Sequence, residues 1–338
     1  MGRLRAEQSG QDSQRGAALL IVLLLVATLA FIALSITERT ALAASRSVNA
    51  RVRDESLWLA FGAEALAVTA LEAVRQASNG KMSLDDPWAL EPLEAPFEDG
   101  GGARLFLTDA TACFNVNSLA TIGNAAGGPV GTAPPAVKEL SLLARNLGLS
   151  EFDGERLAYV IADWTDADSS RLPQGAEDEY YSVLPSPYRT GNQNLASISE
   201  MRAMKDVTRD IYGAMKPYLC ALPETNPSPL NVNMLNPRHA PILAALLGEN
   251  VTNLQAQDII AARPQGGYAD TDTFFNAPAI KALDLEAPPD GRIAVTSKYM
   301  TARAEIIYDS AIFELTADIS FDDSGKPVVR ARRFGAEE

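Results

Sequence analysis

The sequence predicts an α+β protein, in which one long N-terminal helix packs on an antiparallel sheet and a large, mainly α-helical segment is inserted between them. Three observations carry this reading. Residues 17–36 (AALLIVLLLVATLAFIALSI) contain no Lys, Arg, Asp, Glu or His, and apolar spacing of three and four continues beyond them to about residue 77. Residues 294–334 are rich in β-branched and aromatic side chains that largely alternate with polar ones. Between these lies a long stretch with helical periodicity broken by loops.

The first segment, 1–16, is a short charged leader carrying Arg3, Arg5 and Arg15 against Glu7 and Asp12. Residues 17–36 follow; about 20 residues at ~1.5 Å each match the ~30 Å hydrocarbon thickness of a bilayer. The basic leader keeps the N-terminus cytoplasmic and sends the remainder across. Residues 37–117 hold the rest of the helix and the first strands. In the helix, Leu57, Leu59, Ala60, Ala63, Leu66, Ala67, Ala70, Leu71 and Val74 mark an apolar stripe that needs a folded domain to cover it, and Ser78-Asn79-Gly80 ends it. Residues 81–100 are proline-rich and acidic and read as a surface loop. Strands are expected at 104–109 and 113–117. The insertion spans 118–290, opening with a glycine- and proline-rich break at 123–135, with helices at 137–147, 154–165, 197–205, 209–218, 240–247 and 254–262. Residues 291–338 form an antiparallel meander whose last hairpin turns at 322–326.

The formal charge is −14, from 29 basic and 43 acidic residues, a poor balance for binding phosphate backbones. The chain has two cysteines, Cys113 and Cys220. Outside the cytoplasm they are most simply one disulfide, the alternative being two buried free thiols.

Arg15-Gly16 immediately before the apolar run resembles the type IV prepilin leader. That resemblance implies cleavage between Gly16 and Ala17 by a prepilin peptidase, N-methylation of Ala17, and retention of the helix. A plain signal anchor, never cut, is the competing reading of the leader. Further along, Cys113-Phe-Asn-Val-Asn-Ser-Leu119, Asp163-Trp-Thr-Asp-Ala-Asp168, Gly175-Ala-Glu-Asp-Glu-Tyr180, Pro187-Tyr-Arg189, Ser197-Ile-Ser-Glu200, Pro217-Tyr-Leu-Cys-Ala-Leu-Pro223 and Leu230-Asn-Val-Asn233 stand in one order. This ordered set resembles the type II secretion minor pseudopilin K family. The resemblance implies a pilin-like fold and a non-enzymatic subunit of the bacterial inner membrane, its bulk in the periplasm. Its implied place is the tip of a pseudopilus, where it initiates or caps assembly for protein export with minor pseudopilins I and J as partners. The fifth residue after the cut is Ile21, where most pilins carry glutamate. A tip subunit has no neighbour above it to pair such a charge in lipid, so the departure agrees with that position.

Asp163, Asp166, Asp168, Glu177, Asp178 and Glu179 crowd one loop region. Hard oxygen donors at short irregular spacing suit calcium, although no EF-hand pattern is present. The family resemblance implies two structural Ca2+ ions here, with Asp163, Asp166, Asp168, Glu177 and Asp178 as metal ligands and Asn192 as a further candidate. The bland alternative is a solvated acidic loop neutralised in part by Arg171 and Arg189. A second function class uses the same acids: a signal-anchored periplasmic metal-dependent enzyme working through the Asp163–Glu179 cluster.

Residues about 230–280 resemble a helix-hairpin-helix unit, but Gly248-Glu-Asn-Val251 replaces the expected glycine turn, and Glu249 and Asp258 have the wrong sign for phosphate. This predicts protein contact and no nucleic acid. His239, the only histidine, has no second histidine or nearby cysteine for a zinc site and is expected near a helix start. Trp58, Trp88 and Trp164 read as core or interface anchors.

Overall fold

A computed structural model describes residues 4–98, 100–122, 133–285, 289, 291–309 and 311–335, with side chains from residue 17 onward. The 123–132 part of the expected glycine- and proline-rich break lies outside the described residues. Helix α1 runs from Leu4 to Ala77 without interruption. It contains the one stretch among the described residues long and apolar enough to cross a membrane, at mean hydropathy 3.1. Its apolar side chains there lie bare, Phe31 being 71% exposed, and the first buried residue is Val52. From there Ala60, Ala63, Ala67 and Leu71 are buried against the sheet. Alanine on three of those turns lets the helix axis lie close to the strands. Asn79 and Gly80 take positive φ, and Gly80 N–H donates to the Arg75 carbonyl at 2.8 Å, ending the helix where the sequence predicts.

The chain continues through a one-turn helix α2 (Pro87–Leu90) into β1 (Leu93–Pro96) and β2 (Gly102–Asp109). The expectation of a loop over 81–100 is thus corrected: Trp88 is buried, and β1 pairs with β2 from Leu93↔Leu105 to Pro96↔Gly102. A proline is tolerated in a strand that pairs on one side only, so an edge strand and a proline-rich loop look alike in sequence.

The inserted block then begins with β3 (Phe114–Asn115) and a 3₁₀ turn at Val116–Thr121, shorter than the strand expected at 113–117. Next come α3 (Pro135–Asn146), α4 (Glu151–Thr165), α5 (Asp178–Tyr181), α6 (Arg209–Met215) and β4 (Leu219–Cys220). Residues 197–205, expected as α-helix, hold a 3₁₀ turn at Ile198–Ala203. After β5 (Leu230–Asn231) follow α7 (Ala240–Leu247), α8 (Asn253–Ala261), α9 (Thr271–Phe275), α10 (Pro278–Lys281) and β6 (Ile293–Ala294). The chain closes with β7 (Tyr299–Tyr308), β8 (Ala311–Phe321) and β9 (Pro327–Phe334). One antiparallel sheet has the order β1-β2-β7-β8-β9, and the insertion joins its second strand to its third. The hairpin at 322–326 forms as expected, with Asp322 Oδ1 accepting from the Ser324 and Lys326 N–H groups and Gly325 at φ +81°.

The core of the insertion reaches from Ala112 to Val295, wider than the 118–290 expected. It is built from two copies of one unit, unrecognised in the sequence reading although Asn-Val-Asn occurs in both. Asn115-Val-Asn117 and Asn231-Val-Asn233 each leave a two-residue strand and enter a 3₁₀ turn. In each, the first asparagine accepts from the N–H of the second, at 3.2 and 3.0 Å. The second asparagine is fully buried and clamps a distant backbone. Asn117 accepts from Leu195 N–H at 2.8 Å and donates to the Leu195 and Leu222 carbonyls. Asn233 accepts from Tyr268 N–H at 2.7 Å and donates to the Tyr268 carbonyl. Two residues past each clamped residue stands a helix cap, Ser197 or Asp270. Parallel pairs close the units, β3 with β4 and β5 with β6. Asn117→Ala would orphan one buried N–H and two carbonyls, and should destabilise the fold by roughly 3–5 kcal/mol, measured by denaturant unfolding.

The second unit joins the pilin-like part just beyond the end of α1. Met82 N–H donates to the Val295 carbonyl and Leu84 N–H to that of Asn233, while Gly266 N–H donates to Asp85 at 2.7 Å. At the same joint Asp109, at the end of β2, accepts from Thr111 Oγ1 at 2.8 Å, and burial pushes its carboxyl up to about 6. The helical block therefore sits at the end of α1 opposite the apolar run, ~60 Å beyond Ile36 along the helix.

Candidate metal centre

The acidic region interrupts the first unit between α4 and the clamped Leu195. Ser150 caps α4 by accepting from Asp153 N–H at 3.0 Å. The last turn carries Asp163, and Asp166 is its C-terminal cap, so three-residue spacing puts both on one face. Trp164 between them is buried and meets Tyr181 edge-on at 5.2 Å. The returning loop then passes under Asp163. Leu172 N–H donates to Asp163 Oδ1 at 3.0 Å, and a Cβ on Gly175 would lie 2.0 Å from Oδ2. No larger residue fits at 175 without moving that carboxylate. Gly175 opens the motif Gly175-Ala-Glu-Asp-Glu-Tyr180 in the sequence, but its close approach to Asp163 is visible only in the fold.

Glu177 precedes α5 and points back toward the end of α4. One carboxylate oxygen from each of Asp166, Asp168 and Glu177 lies within 4.8 Å of the others. Both carboxylate oxygens of Asp166 and both of Glu177 are buried without a hydrogen-bond partner. Burial, then the neighbouring acids, push Asp166 up to about 6 and Glu177 up to about 7. Asp163 is also raised to about 6, mainly by burial and against the pull of its backbone donors. Four orphaned, buried carboxylate oxygens are costly as they stand. An all-oxygen, acid-rich donor set is what a hard divalent cation satisfies.

Of the five acids expected as ligands, three converge. Asp163 stands beside them with its oxygens engaged by the Leu172 and Ala176 backbone. Asp178 is engaged by its own partners: its Oδ1 accepts from Thr190 N–H and Oγ1, each at 2.9 Å, and Arg189 lies 3.8 Å from Oδ2. Asn192 stands at φ +45°, accepts from Thr190 Oγ1 at 2.6 Å, and donates its N–H to the Trp164 carbonyl. Among the described residues there is one such three-acid cluster.

The other expected residues fall as follows. Cys113 and Cys220 are disulfide-bonded with Cα atoms 5.7 Å apart, beside the β3–β4 pair. Gly16 and Ala17 lie within the continuous α1. His239 stands at the start of α7, where its Nδ1 accepts from Asn236 N–H and burial lowers it to about 4. Trp88 and Trp164 are core residues, whereas Trp58 is 74% exposed. Two open hollows, of about 370 and 420 Å³, lie between α1 and the β7–β8 hairpin and between Asp85 and Arg263; neither touches the acidic cluster.

Comparison with known proteins agrees with this architecture. Two family models described as type II secretion system protein K match residues 112–224 and 230–296, one on each helical unit. A type II secretion system protein K of Pectobacterium carotovorum is 37% identical over 264 residues, covering 78% of this chain and 80% of that protein. The Klebsiella pneumoniae protein of the same description is 32% identical over 95% of this chain and 97% of its own length. Among solved structures, a chain of the GspK-GspI-GspJ complex from enterotoxigenic Escherichia coli superposes with TM-score 0.71 at 27% identity, covering 86% of this chain and all of that one. The chain therefore belongs to the type II secretion system protein K family and is a minor pseudopilin.

Proposed function

We propose that this pseudopilin works mechanically, without enzymatic activity, as the tip subunit that initiates and caps the pseudopilus. The observation that carries the reading is the position of the helical block. It stands at the end of α1 opposite the apolar run, where it would obstruct a further subunit stacking above. Residues 17–36 anchor the chain once in the bacterial inner membrane with the bulk in the periplasm. The prepilin peptidase cuts between Gly16 and Ala17 and Ala17 is N-methylated, so that the helix leaves lipid only by packing on neighbouring helices. The partners are minor pseudopilins I and J, in keeping with the complex from which the matching structure comes. Calcium held by Asp166, Asp168 and Glu177 fixes the acidic loop of the first helical unit.

Mass spectrometry of the native N-terminus tests the processing. The expected species begins at N-methylated Ala17 when the peptidase is present and at Met1 when it is deleted. A mature chain starting beyond Ile36 would remove the anchor and the reading with it.

A further inference from the structure

Between the apolar run and Val52, α1 is exposed throughout residues 37–51, and only its last turns, at Val48 and Asn49, border the hollow beside the β7–β8 hairpin. Arg39, Arg46 and Arg53 stand seven residues apart along it. Seven residues are close to two helical turns with a drift of ~20° per step, so the three side chains rise along one stripe about 20 Å long. None has a carboxylate three or four residues away; those positions hold Ser, Ile, Leu, Ala or Asn. None forms an ion pair elsewhere among the described residues, in contrast to Arg51, which meets Glu55 at 3.7 Å. Between the arginines, Leu42, Ala43, Asn49 and Ala50 are short or apolar. A second helix can approach them closely while the arginines select its charge.

Two occupants are disfavoured by what is present. A second copy lying parallel and in register would set arginine against arginine, since residues 37–53 contain one carboxylate, Glu38, against four arginines. Anionic headgroups reach Arg39 only. Arg46 and Arg53 stand ~15 and ~25 Å beyond Ile36 along the helix, more than the ~8 Å over which charge acts at physiological salt.

We propose that Arg39, Arg46 and Arg53 form a charge-coded helix-pairing stripe, and that its partner is a parallel helix of a different membrane-anchored chain bearing Asp or Glu at heptad spacing. The inference deepens the tip reading: one copy pairs with unlike subunits and repels its own kind.

The test uses the full chain, coexpressed with minor pseudopilins I and J and purified in detergent at about 0.15 M salt. The triple variant R39E/R46E/R53E is expected to retain about tenfold less partner, and R39K/R46K/R53K to stay within about twofold of the unaltered chain. Salt near 1 M should weaken the unaltered complex in the same sense. Arg53 lines the hollow at the β7–β8 hairpin with Asp309, so the melting control is the double variant R39E/R46E, whose side chains lie outside that hollow: its thermal melting should be unchanged while its partner recovery falls in the same sense. Full partner recovery by the reversed variant would overturn the proposal. So would loss of binding to phosphatidylglycerol vesicles with partner recovery intact, which would assign the stripe to lipid. If the unaltered chain recovers neither partner, the tip reading fails as well.

Discussion

On the proposed calcium assignment, EDTA is expected to lower the melting temperature of the folded part of the chain by about 5–10 °C. A ligand at ~100 times its dissociation constant stabilises by ~2.7 kcal/mol, and in a domain of this size ~1 kcal/mol moves the transition by ~2–4 °C. The effect should be large because the cluster without a cation is unfavourable in itself: Asp166 and Glu177 bury four carboxylate oxygens that have no hydrogen-bond partner, beside Asp168. The sign of a substitution should therefore invert with the metal. In calcium, Asp166→Asn or Glu177→Gln should lower the melting temperature by removing a ligand. In EDTA at mildly alkaline pH the same changes should raise it by removing a buried like charge. Scanning calorimetry of the four combinations decides this, and identical melting in EDTA and calcium would refute the metal assignment. Trp164, packed at the end of α4, gives an independent fluorescence signal of loading.

The pH dependence follows from the same groups. Asp166 at about 6 and Glu177 at about 7 lie above their values of 3.8 and 4.5 as free groups, so between about pH 4 and 7 the folded, metal-free chain holds more protons than the unfolded one. Metal-free stability from these groups should then rise as pH falls from 7 toward 4. With calcium bound the slope should reverse, because protons compete with the ion for the same oxygens. Opposite slopes in EDTA and calcium over one pH range would be difficult to produce with a merely solvated loop.

What the sequence made legible follows from how strongly each element is over-determined. The course and end of α1, the strand ending at Asp109 and the last hairpin repeat one pattern over many residues and finish in turn residues suited to it. Helix α7 begins and ends as expected because Pro241 and Gly248 fix both ends. Strand β1 was hidden by Pro96, and the Ile198–Ala203 turn by its brevity. The duplicated unit was hidden because its signature is a buried asparagine, and a polar residue carries no periodic signal. For the site, composition pointed to the loop and to five acids, of which the fold brings Asp166, Asp168 and Glu177 together. Asp166 and Asp163 share a helix face, yet the loop at Gly175 engages one and leaves the other free. Glu177 and Asp178 are adjacent in sequence, and at the start of α5 the first joins Asp166 and Asp168 while the second is held by Thr190.

The disulfide should contribute the second large effect. It closes 107 residues, for which the chain-entropy model gives ~4–5 kcal/mol as an upper figure. The Cys113→Ser/Cys220→Ser pair should therefore melt about 10 °C or more below the unaltered chain. The second helical unit shows why the bridge matters in the first. There β5 and β6 close the unit with two residue pairs and no covalent link, over a shorter span that lacks the 166–194 loop. The first unit must hold that loop within its closure, and the loop contains the whole acidic cluster. Because the bridge acts on the unfolded chain and the metal binds the folded one, their effects should add. In a cycle of disulfide and serine forms with and without calcium, the coupling should stay within about 0.5 kcal/mol. Strong coupling would mean that β3 and β4 separate when the bridge is absent and carry the acidic loop with them. An unchanged melting point in the serine form would show that the β3–β4 pair and the Asn117 clamp close the unit unaided.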